Sequence, residues 1–138
     1  MNVRQRKKLT VRLMASLLRD DLPAVRALWR AGADPNAADR DGTTPLYLAA
    51  LRNKPAAVRV LLDAGADPNM ESGRGDEGTP LTAAAAWGHA DVVRELLAGG
   101  ADPNLREDHG SGLSPLEWAV RGGHFEAEAL LKAAGARR

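Results

Sequence analysis

The pentapeptide Gly-Ala-Asp-Pro-Asn occurs three times in this chain, at residues 32–36, 65–69 and 100–104. Successive copies are 33 and 35 residues apart, and a truncated copy, Gly135-Ala136, follows after another 35. A hydroxyl-Pro-Leu tripeptide keeps the same period, at residues 44–46, 79–81 and 114–116. A period near 33 residues with two helix-sized segments in each copy predicts a repeat solenoid.

One unit of the repeat, residues 41–69, encodes two helices. Thr44-Pro45 supplies a hydroxyl N-cap and a proline at the first helical position, where the missing N–H has no cost. The first helix is predicted to end at Asn53, because asparagine tolerates the left-handed backbone conformation. A second helix is predicted over residues 55–64, and Gly65 then provides the positive φ that terminates it.

The composition favours a helical protein. The 138-residue chain is 44% hydrophobic but only 4% aromatic, so its core must consist mainly of Leu, Ala and Val, which suits close helix packing. The absence of cysteine excludes disulfides and thiolate metal sites, and it favours a reducing compartment. A net charge of +1, from 19 basic and 18 acidic residues, argues against a broadly electrostatic partner such as duplex DNA.

The N-terminal segment is basic and lacks the unbroken apolar stretch of a signal peptide. No run approaches the length of a membrane span, so we expect a soluble cytoplasmic protein, and the Ala, Arg and Gly usage suggests a bacterial source. Leu13 lies 33 residues before Leu46, which indicates a degenerate first unit. The predicted organisation is a basic arm, one domain and four repeats, with the bounds 1–8 (arm), 9–138 (domain), and 9–40, 41–74, 75–109 and 110–138 (repeats).

The chain resembles the ankyrin-repeat proteins. The resemblance rests on residues 41–50 (Asp-Gly-x-Thr-Pro-Leu-x-x-Ala-Ala), on residues 88–97 (Gly-His-x-x-Val-Val-x-x-Leu-Leu) and on the three pentapeptides. It covers roughly residues 9–136 and implies an all-α solenoid of helix-turn-helix units with extended, hairpin-like fingers. The concave side would be formed by the fingers and the first helix of each unit. The family has a histidine after Thr-Pro-Leu, and this chain replaces it with Tyr47, Thr82 and Glu117. The side-chain bridge that this histidine usually makes is therefore in doubt here.

The fingers are the loops between each pentapeptide and the next hydroxyl-Pro: finger 1 is 37–43, finger 2 is 70–78 and finger 3 is 105–113. Fingers 2 and 3 are each two residues longer than finger 1. Longer fingers are typical of a dedicated recognition surface, and drift in an exposed loop is the alternative. The charged finger residues predicted to contact a partner are Arg40, Asp41, Glu71, Arg74, Asp76, Glu77, Arg106, Glu107, Asp108 and His109.

Two positions in each repeat, just before the turn between its helices, are predicted to face solvent on the concave side. The partner-binding candidates among them are Arg19, Leu51, Arg52, Ala86, Trp87 and Arg121. Arg19, Arg52 and Trp87 form a row across adjacent repeats, and Trp and Arg dominate interface hot spots. Trp87 is the strongest single candidate, unless its ring folds over a neighbouring finger. Trp29 and Trp118 are predicted to pack inside.

No catalytic or cofactor-binding motif is recognisable. The chain lacks a Walker loop and a Gly-x-Gly-x-x-Gly between a strand and a helix. His89 and His124 lie in the Gly-His turns between helices, where a structural role is expected. His109 is predicted to be a free surface histidine, and no second histidine at matching spacing indicates a metal site. We therefore expect no enzyme activity, no cofactor and no metal.

Two functions from different classes remain open at this point. The first is a monomeric protein–protein interaction module that binds a protein or peptide through its concave face. The second is binding of nucleic acid or an anionic surface through five cations of the basic N-terminal segment, namely Arg4, Arg6, Lys7, Lys8 and Arg12. A frayed, solvated N-terminus is the alternative explanation of these cations.

Overall fold

The computed structural model describes residues 1–74 and 76–137, and these residues form an all-α repeat solenoid, which confirms the predicted fold class. The two predicted bounds at residues 75 and 138 lie outside the described residues. The helices are α1 (Val3–Leu18), α2 (Leu22–Arg30), α3 (Pro45–Leu51), α4 (Pro55–Asp63), α5 (Pro80–Trp87), α6 (Ala90–Ala98), α7 (Pro115–Gly122) and α8 (Phe125–Ala133). Within the described part of the chain, finger 3 adds one 3-10 turn, Asp108–Gly110, and finger 2 one isolated β-bridge, Ser72–Gly78.

The hydroxyl-Pro pairs begin the first helices as predicted. The hydroxyls of Thr44, Thr79 and Ser114 each accept the backbone N–H three residues later, at 3.2–3.3 Å. In the last two units the side chain at that position returns to the cap: Thr82 accepts the Thr79 N–H at 3.0 Å, and Glu117 accepts the Ser114 N–H at 3.3 Å. Two of the three residues that replace the family's histidine therefore complete capping boxes.

Tyr47, the third replacement, cannot return to its own cap, and the next finger supplies the missing acceptor. The buried Ser72 hydroxyl accepts the Thr44 N–H at 3.0 Å. The helix ends also behave as predicted, since Asn53 has φ of 57° and Gly65 has φ of 99°. Both residues occupy the left-handed region that ends a helix.

The helices pack in two rows. The first helices α1, α3, α5 and α7 contact one another in order, and the second helices α2, α4, α6 and α8 form the other row. Within the first row, alanines such as Ala50 and Ala84 are fully buried, which lets the helices approach closely. One leucine recurs at the repeat period and is buried in every unit, at Leu13, Leu46, Leu81 and Leu116. The core is thus continuous along the array, and no unit buries its apolar face alone.

The last residue of each pentapeptide links its unit to the next one. The Asn36 side chain accepts the Asp67 N–H at 2.7 Å and donates to the Gly65 carbonyl at 3.2 Å. Asn69 accepts the Asp102 N–H at 2.8 Å. Asn104 repeats the pair of bonds seen at Asn36, with its partners in the segment after α8. The pentapeptide therefore ends one helix pair and also holds successive units in register.

The turn histidines form a second set of links. His89 Nε2 lies 3.2 Å from the Leu51 carbonyl oxygen, and His124 Nε2 lies 3.0 Å from the Ala86 carbonyl oxygen. Each imidazole thus bridges to the end of the first helix in the preceding unit. These contacts confirm the structural interpretation of both residues.

The N-terminus and one tryptophan differ from expectation. α1 begins at Val3 behind a capping box formed by Asn2 and Gln5, so residues 3–8 are the first turns of a helix and not a frayed arm. Residue 8, the predicted end of the arm, lies inside α1, because this cap and a run of good helix formers begin the helix at Val3. Trp29 is 41% exposed, although we expected it to pack inside. Leu62 and Leu97 hold the equivalent positions in the next two units, and the larger indole extends past that site into solvent.

Candidate partner-binding groove

A groove of about 420 Å³ opens between fingers 2 and 3 and the first helices of the last three units. Its walls combine three aromatic side chains with four carboxylates. The lining residues are Tyr47, Asp76, Glu77, Thr82, Ala83, Ala86, Trp87, Glu107, Asp108 and Trp118. Every charged group among these lining residues is acidic.

Six of the predicted contact residues meet in this groove, namely Asp76, Glu77, Ala86, Trp87, Glu107 and Asp108. The other four lining residues were not predicted as contacts from the sequence. Tyr47 and Thr82 replace the family's histidine, and this departure was the feature of the sequence that could have identified them as groove residues. Ala83 and Trp118 are equivalent to each other in adjacent units, and Trp118 was assigned to the interior. It is half-buried, with one face on the groove.

Trp87 is the most accessible wall of the groove. It is the last residue of α5, before Gly88 in the left-handed conformation, and it is 65% exposed. A ring folded over a finger would be largely covered, so this exposure disfavours the alternative raised from the sequence. Tyr47 is 8% exposed and belongs to the buried part of the lining.

Two groups in the groove have raised pKa values. Burial raises the pKa of the Tyr47 hydroxyl, and the charges of Glu77, Glu107 and Asp76 raise it further. Burial is also the main reason that the pKa of the Glu107 carboxyl is raised, with Asp108 and Glu71 acting in the same direction. The Trp118 indole N–H acts against this shift, although it has no acceptor at normal hydrogen-bond distance among the described residues. The groove is therefore a negative, partly dehydrated environment.

Hydroxyl contacts fix finger 2 against finger 1. The Glu77 carboxylate accepts hydrogen bonds from Thr43 Oγ1 at 2.9 Å and from Ser72 Oγ at 2.8 Å. Arg74, a predicted contact residue, donates to the Arg40 carbonyl at 2.9 Å. Asp76 accepts the Arg74 N–H at 3.1 Å. The partners of Glu77 in these contacts are neutral hydroxyls, and they set the position of its carboxylate.

Finger 3 is held by contacts from two directions. Glu71 of finger 2 accepts the His109 N–H at 2.6 Å. Arg106 is bound to the Glu117 carboxylate at 2.8 Å and donates to the Gly112 carbonyl at 3.0 Å. These bonds hold a tip in which Asp108 and His109 have φ of 52° and 55°, a conformation that is uncommon outside glycine. The Asp108 side chain at this tip lines the groove.

The remaining predicted contact residues lie outside the groove. Arg19 and Arg52 are exposed at the ends of α1 and α3, at the position that Trp87 occupies on α5. Leu51 is half-buried beside Arg52. Seven more predicted contact residues are not part of the lining. The exposed ones are Arg40 and Asp41 (finger 1), Arg74 (finger 2), His109 (finger 3) and Arg121 (α7), and the half-buried ones are Glu71 and Arg106.

Two further features of the described part of the chain concern metal binding and membrane crossing. Residues 1–74 and 76–137 contain no group of three or more His, Asp or Glu side chains arranged to hold a metal ion. Nor does any helix described there have the length and apolar character needed to cross a membrane. Among the surface pockets, the groove brings together the most predicted contact residues, six in all.

Comparison with known proteins agrees with the architecture. A family model described as ankyrin repeats (3 copies) matches residues 2–72 and again residues 70–137. No curated protein matches the chain. Because the family model spans nearly the whole sequence, and because the helix pairs and fingers follow its period, the chain belongs to the ankyrin-repeat family.

Proposed function

We propose that this chain is a non-catalytic module that binds a protein or peptide partner through its concave face. Ankyrin repeats are in general protein–protein interaction modules. The observation that carries the finer assignment is the groove, because six residues selected from the sequence as contacts line it together. Concave sites with aromatic walls and a few polar groups are the usual form of a binding site.

Trp87 supports this assignment most strongly. A large indole that is 65% exposed in the free protein would bury much apolar area on binding. Arg19 and Arg52 occupy the same helix-end position in the two preceding units and extend the surface toward the N-terminus. Hydrogen bonds join the fingers to one another, and such pre-organisation lowers the entropic cost of binding.

The test is affinity capture with the tagged protein from lysate of the source cell, followed by quantitative binding of the captured partner. Trp87→Ala is expected to weaken binding by about 30-fold, the effect of a hot-spot residue. Trp29→Ala is the matched control, since this second exposed tryptophan lies on α2 outside the groove. Equal losses from both variants, or no loss from Trp87→Ala, would contradict the assignment of the face.

A second candidate function concerns α1. Arg4, Lys7, Lys8 and Arg12 follow helical spacing and line one shallow surface with two exposed valines. This face supports salt-dependent attraction to nucleic acid or another anionic surface. Because residues 3–8 are helical, the clean test keeps the helix: Lys7→Gln/Lys8→Gln should weaken gel shifts of duplex DNA at low salt. No binding by the parent protein at low salt would end this idea.

We further propose a cytoplasmic monomer. The chain has no cysteine, which suits a reducing compartment, and its units pack against one another along the array. Light scattering should give a mass near 14.6 kDa. A mass twice as large would show a dimer. The bacterial source suggested by composition stays a prediction.

A further inference from the structure

We propose that the groove binds a cationic side chain, an arginine or lysine of the partner, between its aromatic walls and its carboxylates. This inference rests on the proposed function, since it names the chemistry that the concave face would recognise. It commits to a basic segment of a protein, and a neutral apolar segment is the competing occupant.

The first observation is that the carboxylates of the groove have no cation. Among the described residues, no charged side-chain nitrogen of Lys, Arg or His lies within 4.0 Å of the carboxylates of Asp76, Glu77, Glu107 or Asp108. Several carboxylates elsewhere are paired; for example, Arg59 binds Glu95. The chain has 19 basic and 18 acidic residues and is therefore nearly neutral, so the groove is a local concentration of acidic groups.

The second observation is that the arginines of fingers 2 and 3 are already bound elsewhere. Arg106 precedes Glu107 in the chain, yet its guanidinium is bound to Glu117 at 2.8 Å. Arg74 of finger 2 donates instead to the Arg40 carbonyl at 2.9 Å. The scaffold thus holds these two cations in other contacts and leaves a complementary charge to be supplied from outside.

The third observation is the placement of aromatic rings beside these charges. Tyr47, Trp87 and Trp118 line the same groove as the four carboxylates. A guanidinium or ammonium over an indole or phenol face is attracted by the ring quadrupole, and a guanidinium can also stack on it. An anionic ligand would be repelled here, and a neutral apolar side chain would leave the carboxylates unpaired. A basic side chain satisfies both wall types.

The crowding of negative charge is consistent with this choice. Tyr47 and Glu107 both have pKa values raised by burial, with further contributions from neighbouring carboxylates. A bound cation would favour the ionised form of Glu107, so the groove should bind it more tightly once that carboxyl is deprotonated. The other groups facing the site are Asp76, Glu77 and Asp108, which are also acidic.

The experiment uses the full chain labelled with ¹⁵N and two peptides, tetra-arginine amide and tetra-citrulline amide. Citrulline matches arginine in shape and lacks its charge. The protein has three tryptophans, so three indole N–H signals report separately on the groove (Trp87 and Trp118) and on a site outside it (Trp29). Tetra-arginine should shift the first two signals saturably, with Kd on the order of 1 mM or lower, and leave Trp29 unchanged.

Variants then assign the effect to the carboxylates. Asp76→Asn/Glu107→Gln keeps the size of both side chains and should weaken tetra-arginine binding roughly tenfold, as expected for loss of two charges near a cation. Glu126→Gln, on the exposed face of α8, is the control and should change nothing. Equal shifts with tetra-citrulline, equal shifts at Trp29, or no saturable shift below about 10 mM would each overturn the proposal.

The result is separable from the proposed function. If Trp87→Ala abolishes capture of a partner but tetra-arginine neither binds nor competes, the concave face is correct and its cation specificity is wrong. If tetra-arginine binds in the groove and competes with the captured partner, both proposals hold.

Discussion

The asparagine at the end of each pentapeptide offers a graded test of how the units are joined. Asn36 makes two hydrogen bonds to the next unit, at 2.7 and 3.2 Å, whereas Asn69 makes one, at 2.8 Å. Each residue also closes the same local turn, in which its own N–H donates to an Asp side chain at 2.9 Å. Substitution by alanine therefore has the same local cost at both sites, and the difference reports the bonds between units.

The expected magnitudes follow from the number of bonds. A net hydrogen bond contributes about 0.5–1.5 kcal/mol, and because Asn36 is half-buried and Asn69 exposed, values near the lower half apply. Asn69→Ala should lower the free energy of unfolding by about 0.5–1 kcal/mol, and Asn36→Ala by about 1–2 kcal/mol. For a domain of this size each 1 kcal/mol corresponds to a fall in Tm of about 3–5 °C.

Urea unfolding followed by circular dichroism, together with thermal melts at pH 7, measures both effects. Asn36→Asp is an informative third variant, because it keeps the acceptor for the Asp67 N–H and removes the donor to the Gly65 carbonyl. It should fall between the parent and Asn36→Ala. A cost for Asn69→Ala equal to or above that of Asn36→Ala would refute the reasoning that side-chain bonds between units set the ranking.

Three further predictions concern the groove, the turns and a buried hydroxyl. Burial raises the pKa of Glu107 in the folded state. The contribution of this carboxyl to folding stability is therefore fully present below its unfolded-state pKa and is lost as pH rises through its folded-state pKa. Glu107→Gln should therefore raise the free energy of unfolding slightly at pH 7, by less than about 1 kcal/mol, and melts should show a small rise in Tm at pH 7 and none at pH 4. Gly88→Ala should cost more than Gly65→Ala in urea titrations, because a Cβ at Gly88 would lie within 3 Å of the His124 ring and one at Gly65 meets nothing; equal costs would contradict this. Ser72→Ala should cost about 1–3 kcal/mol by the same assay, because it leaves a buried backbone N–H without its acceptor, and a cost below about 0.5 kcal/mol would count against that contact.

Local chemistry explains what the sequence predicted well. The helix starts at Thr44 and Ser114 and the ends at Asn53 and Gly65 depend on residues within a few positions, and the structure has them where they were expected. The all-α solenoid follows from the period, because each unit must bury its face against a neighbour. Features of this kind are readable from a single chain.

The groove depends on contacts between distant residues, and that part was only half predicted. Glu77 was selected for its charge, but hydroxyls of Thr43 and Ser72 hold it, one of them 34 residues away in the chain. Trp118 was assigned to the interior. The path of finger 3 places it at the groove, and that path cannot be predicted from the length of the finger. For the same reason Tyr47 was noted as a replacement and not as part of a binding surface.

The central claim is that the concave groove is the surface that meets a partner, and hydrogen exchange of the complex tests it most directly. Amide exchange would be compared for the free protein and for the protein bound to its captured partner. The account predicts added protection in fingers 2 and 3 and around Trp87 at the end of α5, with little change in α4, α6 and α8. Protection confined to those second helices, or to α1, would contradict it.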